Sequence, residues 1–184
     1  MVKQKITGIL EEIGNVLEKI DERQINELVR GILSARKIVV CGAGRVGMAT
    51  RGFGMRLGHL GLQAYTLGDA VVPSISEGDL FLVSSGSGET QTIYDLVEIA
   101  KKNGAKVSLV TGNPESRMGK LADTIVEIKA PSKTKSIEGF ISIQPMTTLN
   151  EQCLGIFYDA VVLDLMEKMN ETHDSMWARH SNLE

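Results

Sequence analysis

The sequence carries no surplus of basic residues: among 184 residues, 20 Lys and Arg stand against 23 Asp and Glu, a formal net charge of −3. Nucleic acid, which is held by clustered Lys and Arg that neutralise phosphates, is therefore not an expected partner. Nor is there an apolar run near the ~18 residues a membrane-spanning helix needs. The opening stretch, MVKQKITGILEEIGNVLEKI, interleaves charges at helical spacing and has no apolar core of the kind a secretion signal requires. A soluble, cytoplasmic chain without a membrane partner is the expectation. Cysteine is scarce. Cys41 lies in an apolar run and Cys153 in an apolar helical pattern, so both read as small buried hydrophobes and not as a disulfide framework. His, Cys, Asp and Glu do not gather at metal-ligand spacing, so no metal is expected. No repeat, low-complexity tract or Pro/Gly linker divides the chain, and an apolar fraction of 42% is enough for one domain with its own core.

What is present is an alternation of periods. Ile6, Leu10, Ile13, Leu17 and Ile20, then Ile25, Leu28, Val29, Ile32 and Leu33, recur every three or four residues and predict two amphipathic helices within residues 1–35. KIVVCGAG, LQAYTLG, DLFLVSSGSGE, AKVSLVTGN and DTIVEIK follow as five strand candidates, separated in part by helical patterns at 46–58 and 90–102. Strands apolar on both faces that alternate with helices predict a three-layer α/β/α sandwich around a five-stranded parallel sheet, with its core spanning 36–170. Residues 129–146 lose periodicity and read as a long surface loop, whose Lys133 and Lys135 either cover an anion or keep the loop solvated. A last helix is expected over roughly 147–169, with Leu149, Cys153, Ile156, Phe157, Ala160 and Val161 on its apolar side, before a polar tail at 171–184.

In an open parallel sheet ligands bind beyond the carboxyl ends of the strands, and two glycine-rich turns fall there. Gly42-Ala43-Gly44-Arg45-Val46-Gly47 fits G-x-G-x-x-G between a strand and a helix. That spacing suits either a dinucleotide or an ordinary tight turn; Asp69 lies somewhat far on for a ribose contact. The second turn, Ser84-Ser85-Gly86-Ser87-Gly88-Glu89-Thr90, opens a helix with several hydroxyls beside unpaired first-turn amides, the makings of a cradle for a phosphate monoester. The plainer alternative is that one serine caps the helix. A Walker P-loop is excluded, since Gly-Lys-Ser/Thr does not occur.

SGSGET after a strand resembles the phosphosugar signature of the sugar isomerase (SIS) domain. GAGRVG, FGMRLGHLG, SSGSGET, NPES, QPMTTLNEQ and RHSNLE together resemble the 6-phospho-3-hexuloisomerases within it, over roughly residues 30–184. The resemblance implies a flavodoxin-like SIS fold and interconversion of 3-hexulose 6-phosphate with fructose 6-phosphate, as in formaldehyde assimilation through the ribulose monophosphate pathway. It implies no cofactor, a phosphosugar ligand and a homotetramer. It further implies substrate contacts from Gly42, Gly44, Arg45, Val46, Ser85, Gly86, Ser87, Gly88, Glu89 and Thr90. Val46 stands where the family usually has serine, and TTLNEQ where it has a segment closer to GSLFEQ.

Moving a ketone from C3 to C2 through a cis-enediol needs one base to lift a carbon-bound proton and return it to the neighbouring carbon. By resemblance that base is Glu151; from the residues alone a first-turn acid complementing its helix dipole is equally good. His180 in the tail is the second catalytic candidate, assisting ring opening, or else a surface histidine. Arg45 suits a bidentate contact with phosphate, the ordering of the enediolate, or a salt bridge with a local acid. A phosphosugar sensor without catalysis and a dinucleotide-binding domain are the competing readings.

Overall fold

The structure, a computed structural model, describes residues 1–131 and 141–183. Five strands, β1 (Ile38–Gly42), β2 (Ala64–Thr66), β3 (Leu80–Ser84), β4 (Lys106–Thr111) and β5 (Thr124–Glu127), form one parallel sheet in the order β2-β1-β3-β4-β5. Their period of two sends alternate side chains to opposite faces. Ile38, Val40, Leu80, Leu82, Val110 and Val126 enter one apolar cluster, and Val39, Cys41, Phe81, Val83, Val107 and Leu109 the other.

The first cluster is covered by α1 (Val2–Leu17), α2 (Glu22–Ser34), α3 (Gly44–His59) and α6 (Thr148–Met169); the second by α4 (Gln91–Lys102) and α5 (Arg117–Leu121). This is the three-layer sandwich the alternation predicts. α5 and α7 (His173–Trp177) are additions. Each is a five-residue helix too short to show a period, and each is started by a local cap: Ser116 accepts from the Gly119 amide, and Thr172 and Ser175 form a reciprocal capping box. No helix among the described residues is long and apolar enough to cross a membrane.

Two readings of helical faces are corrected. On α6, Ile156 is 44% exposed and Ala160 is exposed, while Leu154, Tyr158, Val162 and Leu165 are buried with Cys153 and Phe157. The buried stripe is rotated because α6 packs against both α1 and α3. On α1, Ile13 is buried but Ile6 and Leu10 are 51% and 58% exposed. Lys133 and Lys135 lie outside the described residues. Both cysteines are free and buried. Burial raises the Cys41 thiol to about 11 and, against a smaller opposing backbone hydrogen bond, the Cys153 thiol to about 12, so neither is a nucleophile at neutral pH.

Candidate active site

The chain leaves β1 toward β2 on one side and returns to β3 on the other, so the strand order reverses between β1 and β3, where a crevice opens at their carboxyl ends. Gly42 at the end of β1 is in register with Ser84 at the end of β3. The crevice is a cleft of about 230 Å³. Its walls are the start of α3 (Ala43, Gly44, Arg45, Val46), the turn after β3 (Ser84, Ser85, Gly86, Ser87, Thr90, with Ile93) and the start of α6 (Thr147, Asn150, Glu151).

Three helices therefore begin at this cleft, and their N-cap residues, Ala43, Thr90 and Thr147, make no side-chain cap bond. Elsewhere, α2, α5 and α7 are capped by Asp21, Ser116 and Thr172. Uncapped first-turn amides and three dipole ends facing one cavity favour an anion there, with no lysine among the described residues that line it.

The serines of the turn use their lone pairs inward. The Gly88 amide donates to Ser85 Oγ at 3.1 Å and the Glu89 amide to Ser87 Oγ at 3.2 Å. Each hydroxyl keeps its O–H as a donor. Below them Ser84 Oγ lies 2.5 Å from Tyr158 Oη, a buried phenol stacked on Phe53 with ring centroids 4.1 Å apart. Burial pushes its ionisation up, so it remains a neutral phenol.

Opposite the turn, both carboxylate oxygens of Glu151 are held. Thr147 Oγ1 donates to Oε1 at 2.9 Å, and Nη1 of Arg45 is 3.2 Å from Oε2. Arg45 also reaches Thr148 Oγ1 at 3.4 Å. Asn150, 4% exposed, has an Nδ2 without a partner among the described residues.

Of the residues singled out in the sequence, Gly44, Arg45, Val46, Ser85, Gly86, Ser87, Thr90 and Glu151 line this cleft. Four do not. Gly42 packs beneath α3: a Cβ at Gly47 would lie 2.5 Å from the Gly42 carbonyl oxygen, so the outer glycines of G-x-G-x-x-G serve the strand–helix crossing. Gly88 has φ +66°, and a Cβ there would meet Ser116 Oγ. The Glu89 carboxylate is turned to α5, accepting from the Arg117 amide at 2.9 Å and Nε at 2.7 Å, and these bonds lower its pKa.

His180 lies in a separate cleft with His59, His173, Trp177 and Arg56, its ring centroid 5.1 Å from those of Trp177 and His59. The tail is fastened there by Arg179, which donates to the His59 carbonyl and to Glu171. Asp69 is exposed and lines neither the cleft nor the adjoining hollow beside Gly42. Thr147 and Asn150 went unnoticed in the sequence. Their only signal was a position one helical turn before Glu151 and directly beside it, which acquires meaning once α6 is known to start at the cleft.

Known proteins resemble the chain in sequence and fold. The family described as SIS domain matches residues 31–154. The 3-hexulose-6-phosphate isomerase of Bacillus subtilis is 40% identical over 179 residues, covering 97% of each chain. The protein of the same name from Mycobacterium gastri is 38% identical, covering 100% of this chain and 92% of its own. A Methanococcus jannaschii protein, whose crystal structure is described as inferring a molecular function of 3-hexulose-6-phosphate isomerase, superposes with a TM-score of 0.85 at 27% identity, over 98% of this chain and 99% of that one.

Proposed function

The chain belongs to the SIS domain family, and from that premise we propose that it is an isomerase interconverting 3-hexulose 6-phosphate and fructose 6-phosphate. The observation that carries the reading is the facing of the two walls: a hydroxyl-lined turn at an uncapped helix start on one side, and an anchored carboxylate, Glu151, on the other.

The phosphate is held by Ser85, Ser87, Thr90 and the amides around Gly86, with Gly44 and Val46 forming the near wall. Glu151 takes the proton from C2 of the 3-ketose as the C2–C3 enediol forms, and returns it to C3 as the carbonyl is rebuilt at C2. The hydroxyl proton passes from O2 to O3, so atoms and charge balance. Charge that develops on the enediol oxygens is met by the Arg45 guanidinium, which is already beside the carboxylate. No dinucleotide is needed, and the Gly42–Gly47 contact gives those glycines a packing role.

The same proposal includes a cytoplasmic homotetramer. Met48 and Met55 on α3 are 64% and 50% exposed, and Ile6 and Leu10 of α1 are 51% and 58% exposed. The chain's own His180 lines a different cleft, so within this proposal a His180 at the active site is one contributed by a neighbouring copy.

The test is solvent isotope exchange. Incubated with fructose 6-phosphate in deuterated water, the protein should label the sugar at C3 and produce the 3-ketose. Glu151→Gln should still bind fructose 6-phosphate but lose about 10²–10⁴-fold in turnover, the usual worth of a proton-transfer group. Binding without label in the unaltered protein would establish a sensor instead.

A further inference from the structure

The junction that carries Glu151 into the cleft is tied to the first helix by one carboxylate. Glu12, on α1, accepts a hydrogen bond from Ser142 Oγ at 2.7 Å, one from the Ile143 amide at 2.7 Å and one from Gln144 Nε2 at 2.9 Å. Burial alone would raise the Glu12 pKa; the bonds from Gln144, Ile143 and Ser142 outweigh it and hold the group below the ordinary value, so it is ionised at neutral pH. Ser142 Oγ accepts in turn from the Gln144 amide at 3.0 Å. The strap lies close on α1: a Cβ at Gly8 would be 2.9 Å from Ile143 Cδ1.

From Gln144 the chain has only Pro145 and Met146 before Thr147. Met146 adopts φ +56°, a left-handed conformation unfavourable for a side chain of this kind unless its surroundings impose it. The Thr148 amide donates to the Pro145 carbonyl, the Glu151 amide to the Thr147 carbonyl, and the Thr147 hydroxyl to the Glu151 carboxylate. A continuous path of short bonds thus runs from Glu12 to Glu151, and none of it passes through the turn that holds the phosphate.

We propose that Glu12 is a positioning residue for the isomerisation: by clasping residues 142–144 it sets the left-handed bend at Met146 and the rotamer of Thr147, and through them the aim of the Glu151 carboxylate. The inference rests on the reading of Glu151 as the base. Glu12 touches no substrate. Its removal therefore leaves phosphate binding intact and misplaces the proton-transfer group, a fault to which turnover is steeply sensitive.

The experiment compares the full chain with Glu12→Ala, Glu12→Gln and Ser142→Ala in fructose 6-phosphate isomerisation. Each is checked for melting temperature and for the number of fructose 6-phosphate sites per chain by titration. Glu12→Ala should lose about ten- to a hundred-fold in kcat per site while KM stays within about twofold. Ser142→Ala, which removes one of the three bonds, should lose less and keeps the test open should the glutamate variants fold poorly. In a Thr147→Val background, Glu12→Ala should cost less than about threefold, because both changes break the same path.

Losses that multiply independently in the double variant, or a raised KM with unchanged kcat, would overturn the proposal. So would a Glu12→Ala rate equal to that of the unaltered protein when Glu151→Gln, assayed beside it, is inactive; that result leaves the base in place and removes only the clasp. An active Glu151→Gln removes the base itself, and the clasp with it.

Discussion

Arg45, in the first turn of α3, and Glu151, in the first turn of α6, meet across the mouth of the cleft with Nη1 and Oε2 3.2 Å apart. The arginine side chain is about half exposed and the glutamate side chain 16% exposed, so the pair sits where solvent and ligand both reach it. A surface ion pair in such a place contributes little to stability. Under the proposed reaction, its value lies in placing a planar cation beside the carboxylate where the enediolate would acquire charge.

Arg45→Gln should accordingly leave the melting temperature nearly unchanged while lowering kcat by about 10²–10³-fold, the range for removal of one donor aimed at developing charge. Arg45→Lys should recover part of that loss, since it restores charge but not the fork geometry. Steady-state kinetics at saturating fructose 6-phosphate, with a thermal melt of each variant, checks both. A large fall in melting temperature with unchanged kcat would make the pair structural.

Much of this arrangement could be read from local pattern. The strands announce themselves because they are short and apolar and, for all but β5, run into or are soon followed by glycine, and the hydroxyl-rich turn after β3 because it concentrates donors where a helix starts. Patterns could not say which way a side chain turns once two elements meet. Glu89 belongs to the signature SGSGET, yet its carboxylate is captured by Arg117 on a helix too short to be seen in advance. Gly42 looked like a ligand-facing glycine, and proves to be the floor on which Gly47 rests. The apolar stripes of α1 and α6 were visible as period, but Ile6, Leu10 and Ile156 show that period alone does not distinguish a core face from an outer one.

Ser87 offers a test of the phosphate wall that is independent of the base. Its oxygen accepts from the Glu89 amide, which leaves its O–H free to donate, under the proposed reading to the phosphate. Ser87→Ala should raise KM about tenfold, the order of one hydrogen bond to a charged group, and leave kcat within about threefold, because the phosphate is held alike in ground and transition states. Inorganic phosphate should lose affinity as an inhibitor by a similar factor. A fall in kcat with unchanged KM would move Ser87 from the phosphate to the reacting carbons.

Two glycines of one helix should respond to the same substitution with opposite sign. A Cβ on Gly47 would lie 2.5 Å from the Gly42 carbonyl oxygen and 2.8 Å from its carbon, both backbone atoms of β1 that cannot swing aside. Gly47→Ala must therefore push the start of α3 off the sheet, at a cost of about 1–3 kcal/mol for an overpacked contact. The displacement carries Arg45 away from Glu151, so turnover should fall along with stability. Gly52, further along α3, is exposed, and an added methyl group there would meet nothing within 4 Å. At that position alanine replaces the poorest unrestrained helix former with the best, and Gly52→Ala should stabilise by about 0.5–1 kcal/mol with activity unchanged. Urea midpoints of the two variants decide the matter. If Gly47→Ala is as stable as the unaltered protein, the close crossing of α3 over β1 is not what the glycine motif serves.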